Sequence, residues 1–257
     1  VFVHGALCVS WSGQCLTSEA WGGRSANRGQ CAQSCRMPYD LFVDGERKDL
    51  GDVRYLLSPK DLAGLRAVPS LSRIGVHGLK IEGRQKGPQY VASATSGYAK
   101  WVRAAANGAP SPESEADAQA DLADMALSYT RGFGDGFLVG SDHQTLVEGR
   151  FPKHRGLYLG RVTRIAGGEV WLDEAPEGRP WTGALAVPEA RTAPEGRTRV
   201  SLPILGGSDA SASGPRTPAV EVRPGMGVVF DAGRPEDKDE PGGPAFRVRM
   251  HGRATVL

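Results

Sequence analysis

Four cysteines are the residues of this chain best suited to chemistry, and all of them lie within its first 35 residues. They are Cys8, Cys15, Cys31 and Cys35, spaced C-x6-C-x15-C-x3-C. Four thiolates at close range suit a tetrahedral zinc ion or an iron–sulfur cluster, since both prefer sulfur ligands. Structural zinc usually takes two tight C-x2–4-C pairs, and only Cys31 and Cys35 fit that pattern. The spacing therefore favours a cluster over zinc, with redox-active or unliganded thiols as a third alternative.

The surrounding sequence indicates a reducing compartment. No run approaches the roughly 18 apolar residues that a membrane span needs, and the N-terminus lacks the basic-then-apolar pattern of a signal peptide. We therefore expect a cytoplasmic protein without membrane association, in which close thiols hold metal more readily than they form disulfides. The chain opens at Val1, without a Met, in a strand-like stretch, so we interpret it as a fragment or a processed product.

Charge is weakly informative here. The formal net charge is +2, with 13 basic against 8 acidic residues in residues 1–100 and 18 against 21 in the remainder. The mildly basic cysteine-bearing part is compatible with a nucleic acid or an anionic substrate, although a solvated surface is the commoner explanation of such a balance.

Helical and strand patterns are mixed up to about residue 150. Residues 58–67 predict a helix, because a Ser cap is followed by Pro at the first helical position and then by an acid. Residues 74–81 predict a strand. Aromatic and apolar residues at helical spacing in residues 88–107 predict an amphipathic helix whose aromatics face the core, and a further helix is predicted over residues 115–129.

From Pro152 onward the pattern is that of a small β-barrel or sandwich, since short alternating runs are separated by Gly and Pro clusters. These runs are residues 156–165, 169–172, 220–222, 227–231 and 245–250. Residues 206–217 are low in complexity, and we predict a mobile loop there. The fold class is therefore α/β plus all-β, with one domain over residues 1–150 and a small β-barrel domain over residues 151–257.

Several motifs in order resemble one known family, the collagenase-like peptidase family U32. The motifs are Phe2-x-x-Gly5-Ala6-Leu7-Cys8-x4-Gly13-x-Cys15 with Ser18, Asn27-Arg28-Gly29-x-Cys31-x3-Cys35-Arg36, Tyr55-Leu56-Leu57-Ser58-Pro59-Lys60-Asp61-Leu62, Leu79-Lys80-Ile81-Glu82-Gly83-Arg84 and Tyr90-Val91. The resemblance covers residues 1–105 and, more loosely, residues 130–165. Two features depart from it: the family's Glu would fall just before Val1, and Thr17 stands where the family usually has an aliphatic residue.

The resemblance implies a fold and a cofactor. Most of the family's TIM-like barrel lies upstream of these motifs, so this chain would hold the C-terminal remnant of the barrel, the cysteine region and the small β-barrel. Family members bind a [4Fe–4S] cluster through four cysteines of this spacing, which implies Cys8, Cys15, Cys31 and Cys35 as its ligands, with zinc as the alternative metal.

The resemblance also implies an activity. Several members are similar to oxygen-independent hydroxylases of a tRNA uridine, a ribosomal RNA cytidine or a quinone precursor, in some cases with prephenate as the hydroxyl donor. We therefore expect an iron–sulfur enzyme that hydroxylates tRNA or 23S rRNA, with RNA as partner and prephenate as a candidate donor.

Two other functions stay open. One is the collagenase-like protease of the family's older name, although the sequence has no Gly-x-Ser-x-Gly elbow and no His-Glu-x-x-His helix. The other is a non-catalytic binding module in which the metal only stiffens a loop. For the protease alternative, the four thiols suit a role as metal ligands better than a role as nucleophiles.

The predicted catalytic residues are Lys80, Glu82 and Arg84, which alternate along a strand near its C-terminal end. Substrate-binding groups gather at such ends in a TIM-like barrel. Lys80 and Arg84 would hold a carboxylate or phosphate, while Glu82 orients them or moves a proton. The alternative interpretation is a charged strand end that forms an ion-pair network.

Further polar and aromatic residues near the thiols have two interpretations each. His4 is a proton carrier or, more commonly for such a residue, a structural histidine. Arg28 and Arg36 adjoin ligands and would offset the negative charge of a thiolate-ligated cluster. Trp11 and Trp21 would stack on a base or shield a cluster from water.

Overall fold

A computed structural model describes residues 1–11, 13–83, 86–107, 115–140, 142–154, 156–157, 160–172, 199–200, 223–231, 240–251 and 254–256. Its helices are α1 (Thr17–Gly22), α2 (Val68–Arg73), α3 (Pro88–Ala106), α4 (Glu115–Ser128) and α5 (His143–Leu146). None of the described helices has the length and apolar character that crossing a bilayer requires.

A mixed four-stranded sheet forms the centre of the N-terminal part. Its strands are β1 (Phe2–Gly5), β4 (Asp61–Ala63), β5 (Lys80–Ile81) and β6 (Phe133–Gly134), in the order β5-β1-β4-β6. The pairs β1–β5 and β4–β6 are parallel, whereas β1 and β4 are antiparallel. The ends of β1 and β5 and the beginnings of β4 and β6 therefore meet at one edge, which we call the polar edge.

The main core lies between this sheet and the helices, as the aromatic stripe predicted. Helix α3 packs on both α2 and α4, and its residues Tyr90, Tyr98 and Trp101 are all buried. The Tyr98 hydroxyl donates to the Val3 carbonyl of β1 at 2.6 Å. The core is completed by apolar side chains of α4, among them Leu122 and Met125, which are fully buried.

The helix predicted over residues 58–67 is wrong. That segment contains β4, followed by a 3₁₀ turn over Leu65–Ala67, and the helix α2 begins only at Val68. The cap-like groups are used elsewhere, since the Ser58 hydroxyl accepts from Arg36 at 2.7 Å and the Asp61 carboxylate accepts from Arg131. The predicted strand over residues 74–81 shrinks to its last two residues, β5.

A short hairpin follows the cysteine segment. Strands β2 (Leu41–Val43) and β3 (Glu46–Lys48) pair antiparallel across a turn made by Asp44 and Gly45. Both turn residues have positive φ angles, 54° and 82°. Two left-handed residues give the backbone twist that a two-residue hairpin loop favours.

The C-terminal part forms a second, wholly antiparallel sheet, which confirms the predicted all-β texture. Its strands are β7 (Gly160–Ala166), β8 (Glu169–Leu172), β9 (Arg199–Val200), β10 (Gly227–Asp231), β11 (Gly242–Pro244), β12 (Arg249–His251) and β13 (Ala254–Val256). The order is β11-β10-β9-β7-β8-β13-β12. Leu172, Val228 and Ala245 form its own small core.

Several predictions about closure and boundaries stay predictions. Within the described residues the outer strands β11 and β12 do not pair, so the small barrel is not closed there. The four-stranded mixed sheet likewise shows no TIM-like barrel closure among the strands that are described. The division near residue 150 is untested, and the loop predicted over residues 206–217 and the run over residues 220–222 lie outside the described residues.

Candidate functional site

The four thiols converge on one region between β1 and β2. Cys8 and Cys31 are exposed, Cys15 and Cys35 are half-buried, and all four are free of disulfides. Burial raises the pKa of the Cys35 thiol, Arg36 acts in the opposite direction, and the other three thiols raise the pKa further. Cys35 is therefore within electrostatic reach of every other cysteine, and the ligand roles given to the four thiols stay predictions.

Backbone N–H groups are directed at two of the sulfurs. The Ser10 N–H donates to Cys8 Sγ at 3.4 Å, and the Gln33 N–H donates to Cys31 Sγ at 3.3 Å. Gln33 reaches this position with a left-handed φ of 58°. Hydrogen bonds of this kind stabilise thiolate ligands and adjust the potential of an iron–sulfur cluster.

The donor set is chemically compatible with an iron–sulfur cluster. Four free thiols, with backbone N–H donors on two of the sulfurs, are ligands of the kind that such a cluster takes. Tetrahedral zinc accepts four thiolates as well. Within the described residues no group of three His, Cys, Asp or Glu side chains is placed to hold a metal ion. The choice of a [4Fe–4S] cluster over zinc stays a prediction.

Arg36 joins the cysteine segment to the polar edge. Its guanidinium donates to Ser58 Oγ at 2.7 Å, to the Leu7 carbonyl at 3.0 Å and to the Pro59 carbonyl. Burial, followed by the nearby Arg131, lowers the pKa of Arg36, while Asp61 and Cys35 oppose the shift. Arg36 in turn lowers the pKa of Cys35. This contact agrees with the charge-offsetting role expected of Arg36.

A buried ion pair, which sequence reasoning missed, forms the centre of the polar edge. Arg131 Nη2 lies 2.5 Å from Asp61 Oδ1, and the two side chains are only 8% and 4% exposed. The Arg131 backbone N–H also donates to Asp61 Oδ2 at 3.1 Å. Burial opposes the charge of Arg131, but the Asp61 carboxylate outweighs it and raises the pKa of Arg131. The partners are 70 residues apart in the chain, so no local pattern signals the pair.

His4 is a buried, neutral imidazole beside this pair. It is 1% exposed and lies among the rings of Tyr90, Tyr98 and Phe133. Burial lowers its pKa to about 4, although Asp61 acts in the opposite direction. Because the Tyr98 hydroxyl donates to Val3, its oxygen accepts from His4 Nδ1 at 3.4 Å. His4 Nε2 then carries a bare lone pair, for which the described residues offer no donor.

The structure places the three predicted catalytic residues in different environments. Glu82 reaches the polar edge: its N–H donates to the His4 carbonyl at 2.7 Å, and its own carbonyl accepts from Tyr90 Oη at 2.9 Å. Lys80 is exposed, with Nζ 4.5 Å from the centroid of the Phe2 ring. Arg84 lies outside the described residues. The roles given to Lys80, Glu82 and Arg84 stay predictions.

Gly5 allows β1 and β5 to approach closely at this edge. Its φ is +121°, and a Cβ atom at that position would lie 2.5 Å from the Glu82 carbonyl oxygen. Only glycine tolerates both conditions. The glycine of the Gly5-Ala6-Leu7-Cys8 motif therefore sets the geometry through which the chain leaves the sheet toward its first thiol.

A second aromatic group lies next to the ion pair. The Tyr129 ring stacks on His154, with centroids 5.3 Å apart, and Lys86 Nζ lies 2.9 Å from its centroid. His154 Nδ1 accepts from the Thr130 N–H at 2.9 Å. Burial is the main cause that lowers the pKa of His154, so this ring is also held neutral. No sequence pattern singles out Tyr129 or His154 as functional residues.

The N-terminal part of the chain matches a known family. The model of peptidase family U32 matches residues 1–148. The chain belongs to peptidase family U32. This result confirms the resemblance carried by the cysteine and strand motifs.

The curated relatives in this family have two kinds of name. A collagenase of Porphyromonas gingivalis is 39% identical over 54% of this chain and 38% of its own length. The tRNA hydroxylation protein P1 of Bacillus subtilis is 42% identical over 40% of this chain and 26% of its own length. A 23S rRNA 5-hydroxycytidine synthase of Escherichia coli is 35% identical over 64% of this chain and 25% of its own length.

The chain thus spans about a quarter to two fifths of the length of these relatives. No solved structure matches it.

Proposed function

We propose that this U32 chain is part of a [4Fe–4S] enzyme that hydroxylates tRNA or 23S rRNA without oxygen. The observation that carries the proposal is the convergence of four free thiols beside the cationic Arg36 and Arg131. Relatives named for tRNA hydroxylation and for 5-hydroxycytidine synthesis support the RNA substrate. When bound, the cluster supplies one-electron redox chemistry.

The chain's own residues would divide the work as follows. Cys8, Cys15, Cys31 and Cys35 hold the cluster, and Arg36 offsets part of its negative charge. The polar edge gives the substrate a dry, preorganised wall, because Arg131 and Asp61 already satisfy each other there. Neutral His4 is buried behind this wall, and its Nε2 lone pair is a hydrogen-bond acceptor for which the described residues offer no donor.

The substrate-facing residues stay those that the sequence predicts. Glu82 adjoins His4 and Tyr90 through its backbone, and with Arg84 it remains the predicted substrate contact. Prephenate, the donor that the family resemblance implies, carries carboxylates that basic side chains would bind. Lys86, half-buried with its ammonium over the Tyr129 ring, suits such a contact.

A protease is the second candidate, favoured by the relatives named collagenase. Its chemistry would need a nucleophile activated by a base. In the described part of the chain the two buried histidines bond to Tyr98 and to the Thr130 backbone rather than to a Ser or Cys nucleophile. The geometry therefore gives the protease less support than the hydroxylase.

Anaerobic purification followed by iron, sulfide and zinc analysis tests the cofactor. We expect about four irons per chain, lost in a Cys31→Ala variant and retained in a Ser34→Ala control. Stoichiometric zinc without iron would contradict the proposal.

Nucleoside mass spectrometry tests the activity. RNA from a strain lacking the gene should miss one hydroxylated nucleoside, which the wild-type gene restores and the Cys31→Ala gene does not. Gelatin cleavage by a protein with all four cysteines changed to Ala would instead support the protease.

A further inference from the structure

The C-terminal sheet carries an open groove that the cysteine site does not use. It has a volume of about 590 Å³ and lies between the β7–β8 turn and the β10–β11 pair. The turn contributes Gly167 and Gly168, β11 contributes Gly242 and Gly243, and the segment after β11 contributes Phe246 and Arg247. Glycines thus border a groove whose wall has two phenyl rings, Phe230 and Phe246, one guanidinium and the Glu169 carboxylate.

Phe246 is held in an unusual position for a phenyl ring. Its exposed fraction is 85%, higher than that of any other phenylalanine among the exposed apolar residues of the described chain. The preceding Ala245 is buried and fixed by two backbone bonds: its N–H donates to Met226 at 2.9 Å, and its carbonyl accepts from Gly225 at 2.7 Å. The backbone that carries Phe246 is therefore fixed, and its exposed ring is available to stack on a planar ligand.

The glycines of β11 leave the floor of the groove without side chains at two positions. A Cβ atom at Gly242 would lie 2.3 Å from the Val228 carbonyl oxygen, so β10 and β11 require glycine there. A Cβ at Gly243 would meet nothing within 4 Å. Because Gly242 and Gly243 have no side chains, a planar ligand can approach the backbone of these two residues and lie against Phe246.

The strands of the C-terminal sheet are more basic than the segments between them. The sequence of β7–β13 contains four arginines against two carboxylates. On the groove itself one cation, Arg247, is accompanied by one carboxylate, Glu169, so a bound phosphate would pair with Arg247 alone. By contrast, the sequence of residues 173–198, 201–222 and 232–239 has ten carboxylates against six basic residues. The overall acidity of this half of the chain therefore does not belong to the strands that frame the groove.

We propose that this groove binds an unpaired RNA nucleotide, whose base stacks on Phe246 and whose phosphate pairs with Arg247. Aromatic rings beside a cation are the usual means of holding single-stranded bases without reading their sequence. The choice of RNA over other planar anions rests on the proposed function. The groove would hold the substrate strand while the reacting base reaches the cysteine site.

Fluorescence anisotropy of the full chain with a short labelled single-stranded RNA tests the site. Phe246→Ala should weaken binding between about 5-fold and about 150-fold, the range that loss of one stacked base produces. Phe246→Trp should bind at least as well as the wild type. Arg247→Ala should lower the slope of log K against log salt by about one phosphate contact.

Three controls make the result decisive. Ile165→Ala changes another exposed residue of the same sheet, and Phe42→Ala removes an exposed ring from the β2–β3 hairpin; both should bind RNA like the wild type. Phe246→Leu distinguishes stacking from simple apolar contact and should weaken binding like Phe246→Ala. Equal affinity of Phe246→Ala and Ile165→Ala, or full binding by Phe246→Leu, overturns the proposal, and the latter would indicate an apolar peptide instead.

Failure of this site and failure of the proposed function give different results. If no hydroxylated nucleoside depends on the gene but RNA affinity still depends on Phe246, the groove stands and the hydroxylase does not. If the nucleoside depends on the gene while Phe246→Ala leaves RNA affinity unchanged, the groove alone is refuted. A wild-type chain that does not bind single-stranded RNA also refutes the groove.

Discussion

The cysteine segment, residues 8–35, and the polar edge around Asp61 adjoin each other but are stabilised in opposite ways. Two of the four cysteines are exposed, and the sulfurs accept only scattered N–H groups. At the polar edge, by contrast, Asp61 and Arg131 are buried and bonded to each other. Arg36 is the side chain that bonds to both regions, through Leu7 and through Ser58.

This difference separates a segment with exposed thiols and few hydrogen bonds from a region whose charged groups are buried and bonded to each other. A metal site whose ligands are held loosely gains its order when the group binds, so binding free energy becomes folding free energy. A buried ion pair gives the opposite behaviour, because removing one partner leaves an uncompensated charge in a dry environment. We therefore expect mutations at the polar edge to lower stability and leave the thiols intact. Mutations of the cysteines should lower iron content and change the stability of the metal-free protein little.

The largest loss of stability should follow Asp61→Ala. The change leaves Arg131 buried without its carboxylate, and we expect a loss of about 3–5 kcal/mol in the free energy of unfolding. Urea denaturation followed by circular dichroism measures it. The double variant Asp61→Leu with Arg131→Met should recover much of the loss, since it removes both charges.

The exposed pair of Arg47 and Asp40 provides the control for that measurement. Its side chains are 64% and 50% exposed, so Arg47→Ala should change stability little. If Asp61→Ala lowered the free energy of unfolding as little as Arg47→Ala, the buried ion pair would not stabilise the polar edge.

Burial of His4 should make the free energy of unfolding depend on pH. The expected change is slightly smaller than the loss caused by Asp61→Ala. Its pKa is about 4 in the fold and 6.5 in an unfolded chain, so the unfolded state binds the extra proton between these values. Stability is therefore complete above pH 6.5 and falls by about 3 kcal/mol as the pH drops to 4. Unfolding curves between pH 7 and pH 4 should show this slope, and His4→Phe should remove that share of it.

The exposed His77 is the matched control for this slope. His77→Phe should keep the wild-type dependence on pH, because its ring is not buried. An unchanged slope in His4→Phe would mean that another group causes the loss of stability in acid.

The same comparison explains how much could be predicted from the sequence. The four thiols can be recognised from their residue type and spacing. Helix α3 can be predicted because its aromatic periodicity and its N-terminal Pro are local features. The Asp44-Gly45 turn is local as well. Each of these depends on neighbours within a few residues, which is the information that a sequence pattern contains.

The polar edge could not be predicted because its chemistry is decided by distant partners. Residues 58–61 have the local signature of a helix start, but Arg36 and Arg131 take the hydroxyl and the carboxylate that would have served the cap. The tautomer of His4 likewise depends on Tyr98, which is 94 residues away. Tertiary competition for the same polar groups overrides local propensity in these cases.

Arg36→Ala should disturb both regions at once, with an intermediate effect. It removes the bonds to Ser58, Pro59 and Leu7, and we expect about 2 kcal/mol of destabilisation. Because Arg36 lowers the pKa of Cys35, the variant should also raise that pKa. The rate of alkylation of Cys35 against pH measures the shift, in a background with the other three cysteines changed to Ala.

Arg28→Ala is the control, since Arg28 lies three residues before Cys31 in the chain but is not among the groups that shift the pKa of Cys35. It should leave the alkylation profile in place. A profile that moves equally in both variants would contradict the specific link through Arg36.

The smallest effect on stability should come from Cys8→Ala in the protein without metal. Cys8 is exposed and its sulfur accepts one long bond at 3.4 Å, so the free energy of unfolding should change by less than about 0.5 kcal/mol. Iron retention should nevertheless fall sharply after anaerobic reconstitution, because one of four ligands is gone. Asp61→Asn should show the reverse, with lower stability but four intact thiols. A Cys8→Ala chain that loses stability without metal, yet keeps its iron, would mean that the cysteine segment is built like the polar edge and does not depend on a bound group for its order.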